Sequence, residues 1–252
     1  MKIYHYTSIE SLYLILKNKT MRFSTLSNVD DMDEGLTQEF NHAQQYLFVS
    51  CWTEEEKESI PQWAVYSKNM EGIRIGIEIE RDNPRKIFEL VKDSRTNMLI
   101  SEDLDIMKNF PLVASPGTPF YREMKYTNDS NDLKPNILSY DEKTIKIDMS
   151  KVALYKSSEW SFQKESRFVI DFSASPFNAD RTSNKKFDLI NSLKNKNLPF
   201  EYKDIKLADT FFENIEITFG PKCPKVHKEI VEMYLKNFNV DASLNDSYLN
   251  IR

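Results

Sequence analysis

The chain is 252 residues long, 40% hydrophobic and 29% charged, with a formal net charge of -5. This composition fits a globular protein able to bury a core, and excludes both a disordered chain and one whose overall charge would draw it to nucleic acid. Its five glycines fall at neither Walker nor dinucleotide-fingerprint spacing, which removes the ATPase, GTPase and Rossmann dehydrogenase classes, and no run approaches the roughly 18 apolar residues of a membrane span.

Taken in chain order, Met1 to Tyr6 alternates long and aromatic residues and reads as a short strand. Thr7-Ser8 supplies a helix cap, with Ile9, Leu12, Ile15 and Leu16 at helical spacing behind it. Met21 to Ser24 reads as a second strand, followed by the acidic turn Asn28-Val-Asp-Asp-Met-Asp-Glu34. The apolar run Tyr46 to Trp52 predicts a buried strand, Trp63 to Tyr66 a short helix, and the alternating Gly72 to Glu80 the clearest strand of the chain. Leu104 to Phe110 reads as helix, Ser115 to Pro119 as loop and the polar Thr127 to Asn136 as a mobile segment. Val152 to Tyr155 and Ser166 to Phe172 read as strands, with Glu165 at the threshold of the second. Residues 173–206, rich in Asn, Ser and Lys, read as a surface excursion. Ile215 to Phe219 reads as a strand ending at Gly220-Pro221, and Val226 to Phe238 as an amphipathic helix. Short, mostly antiparallel strands with flanking helices and no regular βαβ alternation predict one α+β domain over residues 1–252.

Two cysteines without a CxxC, and only three histidines, make neither a disulfide framework nor a zinc site. Cys223 and His227 are four apart but are only two ligands, and no metal is predicted. Thiols expected to be reduced, and a start without an export signal, lead to the expectation of a cytoplasmic protein. Asp30, Asp31, Asp33 and Glu34 lack the loop glycine of an EF-hand. They are expected to cap the following helix or to be solvated, with Asp31 and Glu34 the residues to watch if the turn touches a site. Glu165 and Arg167 flank Ser166 and so share a side of an extended chain, where they form part of a site or a strand-edge ion pair.

Four blocks carry a resemblance. They are Tyr4-His5-Tyr6-Thr7 with its helix; Asn28 to Glu34; Cys51-Trp52 with Trp63-Ala-Val-Tyr66 and Gly72; and Trp160-Ser-Phe-Gln-Lys-Glu165-Ser-Arg167. Together with Phe219-Gly-Pro-Lys222 they resemble the bacterial domain-of-unknown-function family 2971 and, more distantly, the ADP-ribosyltransferase fold. That second resemblance implies a split sheet and an NAD substrate. It implies a first-strand His, a central Tyr and a late Glu preceded by Gln-x, here His5, Tyr66 and Gln163-Lys164-Glu165. In that reading Glu165 stabilises an oxocarbenium-like ribose, as in glycoside cleavage, and Gln163 orients the acceptor. His5 and Thr7 lie on the strand that holds the dinucleotide, while Tyr66 or Tyr6 faces the nicotinamide. Arg22 and Arg74 are the diphosphate donors, and Trp63 and Arg167 complete the pocket. The implied partners are a protein or nucleic-acid acceptor and, for a toxin or anti-phage effector, an antitoxin or defence-system partner.

Each of these residues also has a structural reading: His5 as a satisfied strand residue, Tyr66, Trp63 and Trp160 as core, and Glu165 with Arg167 as an ion pair. Two other functions compete. One is a nucleic-acid-binding or nuclease-like defence protein using the acidic turn and the lysines of 181–206. The other is a non-catalytic domain that binds a nucleotide or a partner.

Overall fold

Ser8 is where the first strand becomes the first helix. Its extended backbone leaves the side chain free to accept the amide of Ser11 at 3.1 Å, so the cap is satisfied by the residue type that fits it best. β1 (Lys2–Thr7) therefore runs directly into α1 (Ile9–Asn18), which buries Ile9, Leu12, Ile15 and Leu16. Lys19 adopts a left-handed conformation (φ 49°) and turns the chain into β2 (Thr20–Thr25). The computed structural model describes residues 1–92, 99–101, 112–113, 120–140, 145–172, 194 and 201–251.

The following elements are β3 (Leu47–Thr53), α2 (Ile60–Tyr66), β4 (Ile73–Glu78), β5 (Leu90–Lys92), β6 (Leu99–Ser101), β7 (Leu112–Val113), β8 (Tyr121–Glu123), β9 (Lys125–Thr127) and α3 (Ser130–Leu133). Then come β10 (Leu138–Tyr140), β11 (Ile145–Ile147), β12 (Tyr155–Ser157), β13 (Glu165–Phe172), β14 (Tyr202–Lys206), β15 (Ile215–Phe219), α4 (Lys225–Phe238) and β16 (Ala242–Asp246). The fold is α+β with mostly antiparallel strands, which among the described residues form one large sheet and three two-stranded ones.

The large sheet branches at β3. Along one edge β3 pairs with β13 over its whole length, from Thr53 opposite Glu165 to Leu47 opposite Asp171. The other edge is shared. β1 meets it only at Thr53, opposite Tyr4, while β2 meets it only at Val49 and Phe48, opposite Ser24 and Thr25. Among the described residues, Ser50, Cys51 and Trp52 thus have no strand partner on that edge. Beyond the split, β1 leads to β4, β15 and β16, and β2 leads to β14. Strand alternation gives the two faces of the β3–β13 ladder different characters. Trp52 and Phe168 belong to an aromatic cluster with Phe88, Phe120 and Phe211, whereas Cys51, Glu165 and Arg167 point to the other face. On the sheet's flank α1 meets α4, with Tyr13 against Tyr234 and Phe238. Among the described residues no helix is long and apolar enough to cross a membrane.

Several expectations need correction. Val152 to Tyr155 is not a strand. Two donors of the Arg122 guanidinium hold the carbonyls of Ser150 and Val152 at 3.0 and 2.8 Å, and Ala153 is left-handed (φ 57°), so the extended run begins only at Tyr155. The polar segment 127–136 contains α3, capped by Asp129. The acidic turn caps no regular helix: Asp31 bonds the amide of Asp33, and Glu34 is buried. The excursion expected over 173–206 ends in β14, which pairs with β2 throughout. Leu104 to Phe110, Ser115 to Pro119 and most of 173–200 lie outside the described residues.

Candidate functional site: a cleft at the split of the sheet

Where β1 and β2 part, a cleft of about 410 Å³ opens. This is within the range of small-molecule sites, roughly 300–1,000 Å³. It is lined by residues of β1, α1, β2, β3 and α2 and of the start of β13, together with Asp30, Lys156 and Asp204. His5 lies in the gap. Its Nδ1 is 2.8 Å from the carbonyl oxygen of Cys51, on the stretch of β3 that, among the described residues, is unpaired on the edge away from β13. A carbonyl only accepts, so Nδ1 carries the proton and donates. In the neutral ring Nε2 is then an acceptor, and it has no protein partner among the described residues. Burial pushes the imidazole below its ordinary pKa, against the opposing effect of the Cys51 bond, so the ring is neutral at neutral pH. Trp52 packs on it at 5.1 Å between ring centres.

Lys156, Glu165 and Arg167 of the cleft wall form, with Glu34, a buried cluster of four charges. Arg167 is fully buried and holds Glu34 through both terminal nitrogens, one of these bonds at 3.0 Å. It also holds Glu165 through Nε and, at 3.0 Å, through its second terminal nitrogen. Lys156 donates to Glu165 at 3.2 Å and lies 3.5 Å from Glu34. Two cations and two carboxylates cancel, which is what makes their burial tolerable. Burial would raise the Glu165 carboxyl, but Arg167 and then Lys156 outweigh it and hold it well below the usual carboxylate range. This pair is not at a sheet edge as the sequence suggested. At Arg167, β13 is flanked by β3 on one side and β8 on the other.

Gln163 is oriented by the same lysine. An ammonium can only donate, so the atom 2.7 Å from Lys156 Nζ is the amide oxygen, and the amide nitrogen donates to Tyr66. The Asp30 carboxylate lies near the Tyr66 hydroxyl. Burial, and after it that carboxylate, push the phenol far up, so it is a proton donor and not a base. Between Gln163 and Glu165, Lys164 is left-handed (φ 41°), a conformation that costs a non-glycine residue roughly 1–2 kcal/mol. It is pinned from three sides. Gln62 donates to the Gln163 carbonyl at 2.7 Å, Thr53 to the Lys164 carbonyl at 2.7 Å, and Glu165 N–H to the Tyr126 hydroxyl at 2.8 Å. Cys51 also faces the cleft. Burial and the adjacent Glu165 push its thiol well up, so no thiolate nucleophile is set up there.

The cleft wall brings together His5, Tyr6, Thr7, Arg22, Tyr66, Gln163, Glu165 and Arg167. It does not include Arg74 or Trp63. Gly76 stands opposite Tyr4, and any side chain there would meet the Tyr4 ring. That ring is instead covered by the Arg74 guanidinium at 4.2 Å. Arg74 donates to the Glu56 carbonyl at 2.8 Å and lies across β1 from the cleft. Trp63 is fully buried, its ring edge-on to Tyr6 and its N–H on Glu58 at 2.8 Å. Trp160 also lies outside the wall, beneath Lys156 at 4.9 Å. Lys156 belongs to the site but went unrecognised in the sequence, and Asp30, named there only as part of the acidic turn, also lines the cleft. Of the two acidic residues singled out there, Glu34 backs Arg167 and Asp31 serves the turn alone.

No family model, curated protein or solved structure matches this chain. Among the described residues no group of three or more His, Cys, Asp or Glu side chains is placed to hold a metal ion. Chemically, the cleft offers a neutral imidazole acceptor, a carboxylate kept ionised, a phenol donor and aromatic walls.

Proposed function

We propose that the cleft binds NAD and that the protein is an ADP-ribosyltransferase-like enzyme acting on the nicotinamide–ribose bond. The observation that carries this reading is that His5 and Glu165 line one cleft in complementary states, an open Nε2 acceptor and a carboxylate held ionised. In the reaction the bond from ribose to the pyridinium nitrogen breaks and its electron pair leaves with nicotinamide. The ribose carbon becomes oxocarbenium-like and bonds to an acceptor that gives up a proton. A fixed anion beside that carbon stabilises the developing positive charge. His5 accepts a ribose hydroxyl, Tyr66 and Gln163 position the nicotinamide or the acceptor, and the acceptor is a protein, a nucleic acid or water.

The test follows nicotinamide release and label transfer from NAD in a cell lysate, for wild type and Glu165→Gln. Release that falls at least a hundredfold in the variant supports the reading. Equal release from both, with the variant folded, overturns the assignment of Glu165. Because the imidazole pKa is lowered, NAD affinity should be constant above the ordinary value of about 6.5. It should weaken only at lower pH, as Nε2 takes up a proton and stops accepting.

A second reading has its own support. Both Glu165 oxygens already receive bonds from Arg167 or Lys156, which suits a domain that binds a nucleotide without turning it over. Tight NAD binding with no nicotinamide release selects that alternative.

A further inference from the structure

A dinucleotide brings a diphosphate, and the cleft must meet it with positive charge. Among the described residues of the wall there are three cations, Arg22, Lys156 and Arg167. Lys156 and Arg167 are buried and committed to Glu34 and Glu165. Arg22 differs: its side chain keeps 51% exposure, at the edge of the cleft. It too has a carboxylate partner. Asp204 stands directly opposite on β14, with one oxygen 2.9 Å from Nε and the other 3.0 Å from a terminal nitrogen. The guanidinium fork grips carboxylate and phosphate in the same two-pronged way. Behind it, the Tyr202 ring lies 3.6 Å from the guanidinium carbon. Tyr202 therefore supports the plane of the fork whether or not Asp204 is engaged.

We infer that Arg22, supported by Tyr202, is the phosphate subsite of the cleft, and that Asp204 fills it in the ligand-free chain as a built-in competitor. This rests on the reading that the cleft takes NAD, and it adds a device that sets affinity for phosphate-bearing ligands. A half-exposed ion pair contributes little, so a phosphate can displace it. The carboxylate nevertheless places a negative charge where the phosphate must arrive. A nucleoside without phosphate has no reason to disturb the pair.

The experiment is calorimetric titration of NAD, nicotinamide riboside and inorganic diphosphate into wild type, Asp204→Asn, Arg22→Gln and the double variant, each checked for folding by circular dichroism. Asp204→Asn should tighten NAD and diphosphate by about two- to fivefold, the amount an exposed pair allows, and leave nicotinamide riboside unchanged. Arg22→Gln should weaken NAD and diphosphate and abolish the gain in the double variant. Unchanged or weaker NAD binding by Asp204→Asn overturns the inference, as does an equal gain for the riboside. If neither NAD nor the riboside binds wild type, the NAD reading fails, and diphosphate still decides the subsite. Tighter diphosphate binding by Asp204→Asn that requires Arg22 upholds it, and equal binding by all four proteins overturns it.

Discussion

Arg167 and Arg22 each grip a carboxylate with two nitrogens, and both line the same cleft, yet they stand in opposite physical regimes. Arg167 has no exposure, and its partners Glu34 and Glu165 are buried with it. Arg22 is half in solvent, with a partner one-third exposed. Away from water, the partners of Arg167 cannot be released without stranding a charge, so that geometry is permanent. At the rim, water and salt compete for Arg22, and its geometry is exchangeable. The deep pair builds the wall that holds Glu165, and the rim pair is free to change partners.

The largest break in this comparison is expected from Arg167→Met. Removing the guanidinium strands two buried carboxylates and should cost about 3–5 kcal/mol in urea unfolding, whereas Arg22→Met should stay within about 1 kcal/mol. Equal losses would show that burial does not separate the two pairs. The next effect is on acid stability. The Glu165 carboxyl lies below its unfolded value of about 4.3, so its contribution is present above that pH and disappears as the pH falls through the folded-state pKa. Removing the Lys156 cation narrows the gap between the two values, with Arg167 still holding the carboxyl down. Lys156→Gln should therefore move the midpoint of acid unfolding to higher pH, while Asp204→Asn leaves it in place. The smallest effect sharpens the contrast. A double-mutant cycle on Arg22 and Asp204 should give a coupling of about 1 kcal/mol or less that vanishes near 1 M salt. A coupling that survived salt would place the rim pair in the same regime as the deep one.

Much of this was legible in the sequence wherever a local rule applied. β1, α1, β2, β3, β4, β13, β15 and α4 follow alternation, helical spacing or an apolar run, and Ser8 follows capping. β16 was not legible, because an exposed polar strand shows no hydrophobic period. It is placed by the helical crossover of α4 onto the edge of β15. The placement of His5, Tyr66, Gln163 and Glu165 along the chain is consistent with one site, and the cleft wall includes all four. Lys156 gave no signal. A lysine between Tyr155 and Ser157 looks like a surface residue until β12 and the turn before Glu165 enclose it. Arg74 and Trp63 misled for the reverse reason. Their types suit a ligand, but Arg74 stands on β4, one strand beyond β1, with its guanidinium held over Tyr4 and on the Glu56 carbonyl, and Trp63 is buried with its N–H on Glu58. Residue type and spacing predict which groups are available for chemistry; register decides which face they occupy.

The His5–Cys51 bond gives the sheet an unusual seam. Elsewhere neighbouring strands are stitched by backbone amides, but here an imidazole replaces the missing stitch, and its second nitrogen is the one offered to a ligand. One ring thus fastens the branch point and, in the proposed reading, also meets the ligand. A guest that draws on Nε2 polarises the ring and strengthens the N–H bond to Cys51 on its far side. If the cleft binds its ligand through Nε2 as proposed, occupancy and firmness of the junction should rise together, and the imidazole nitrogen resonances of His5 should report both.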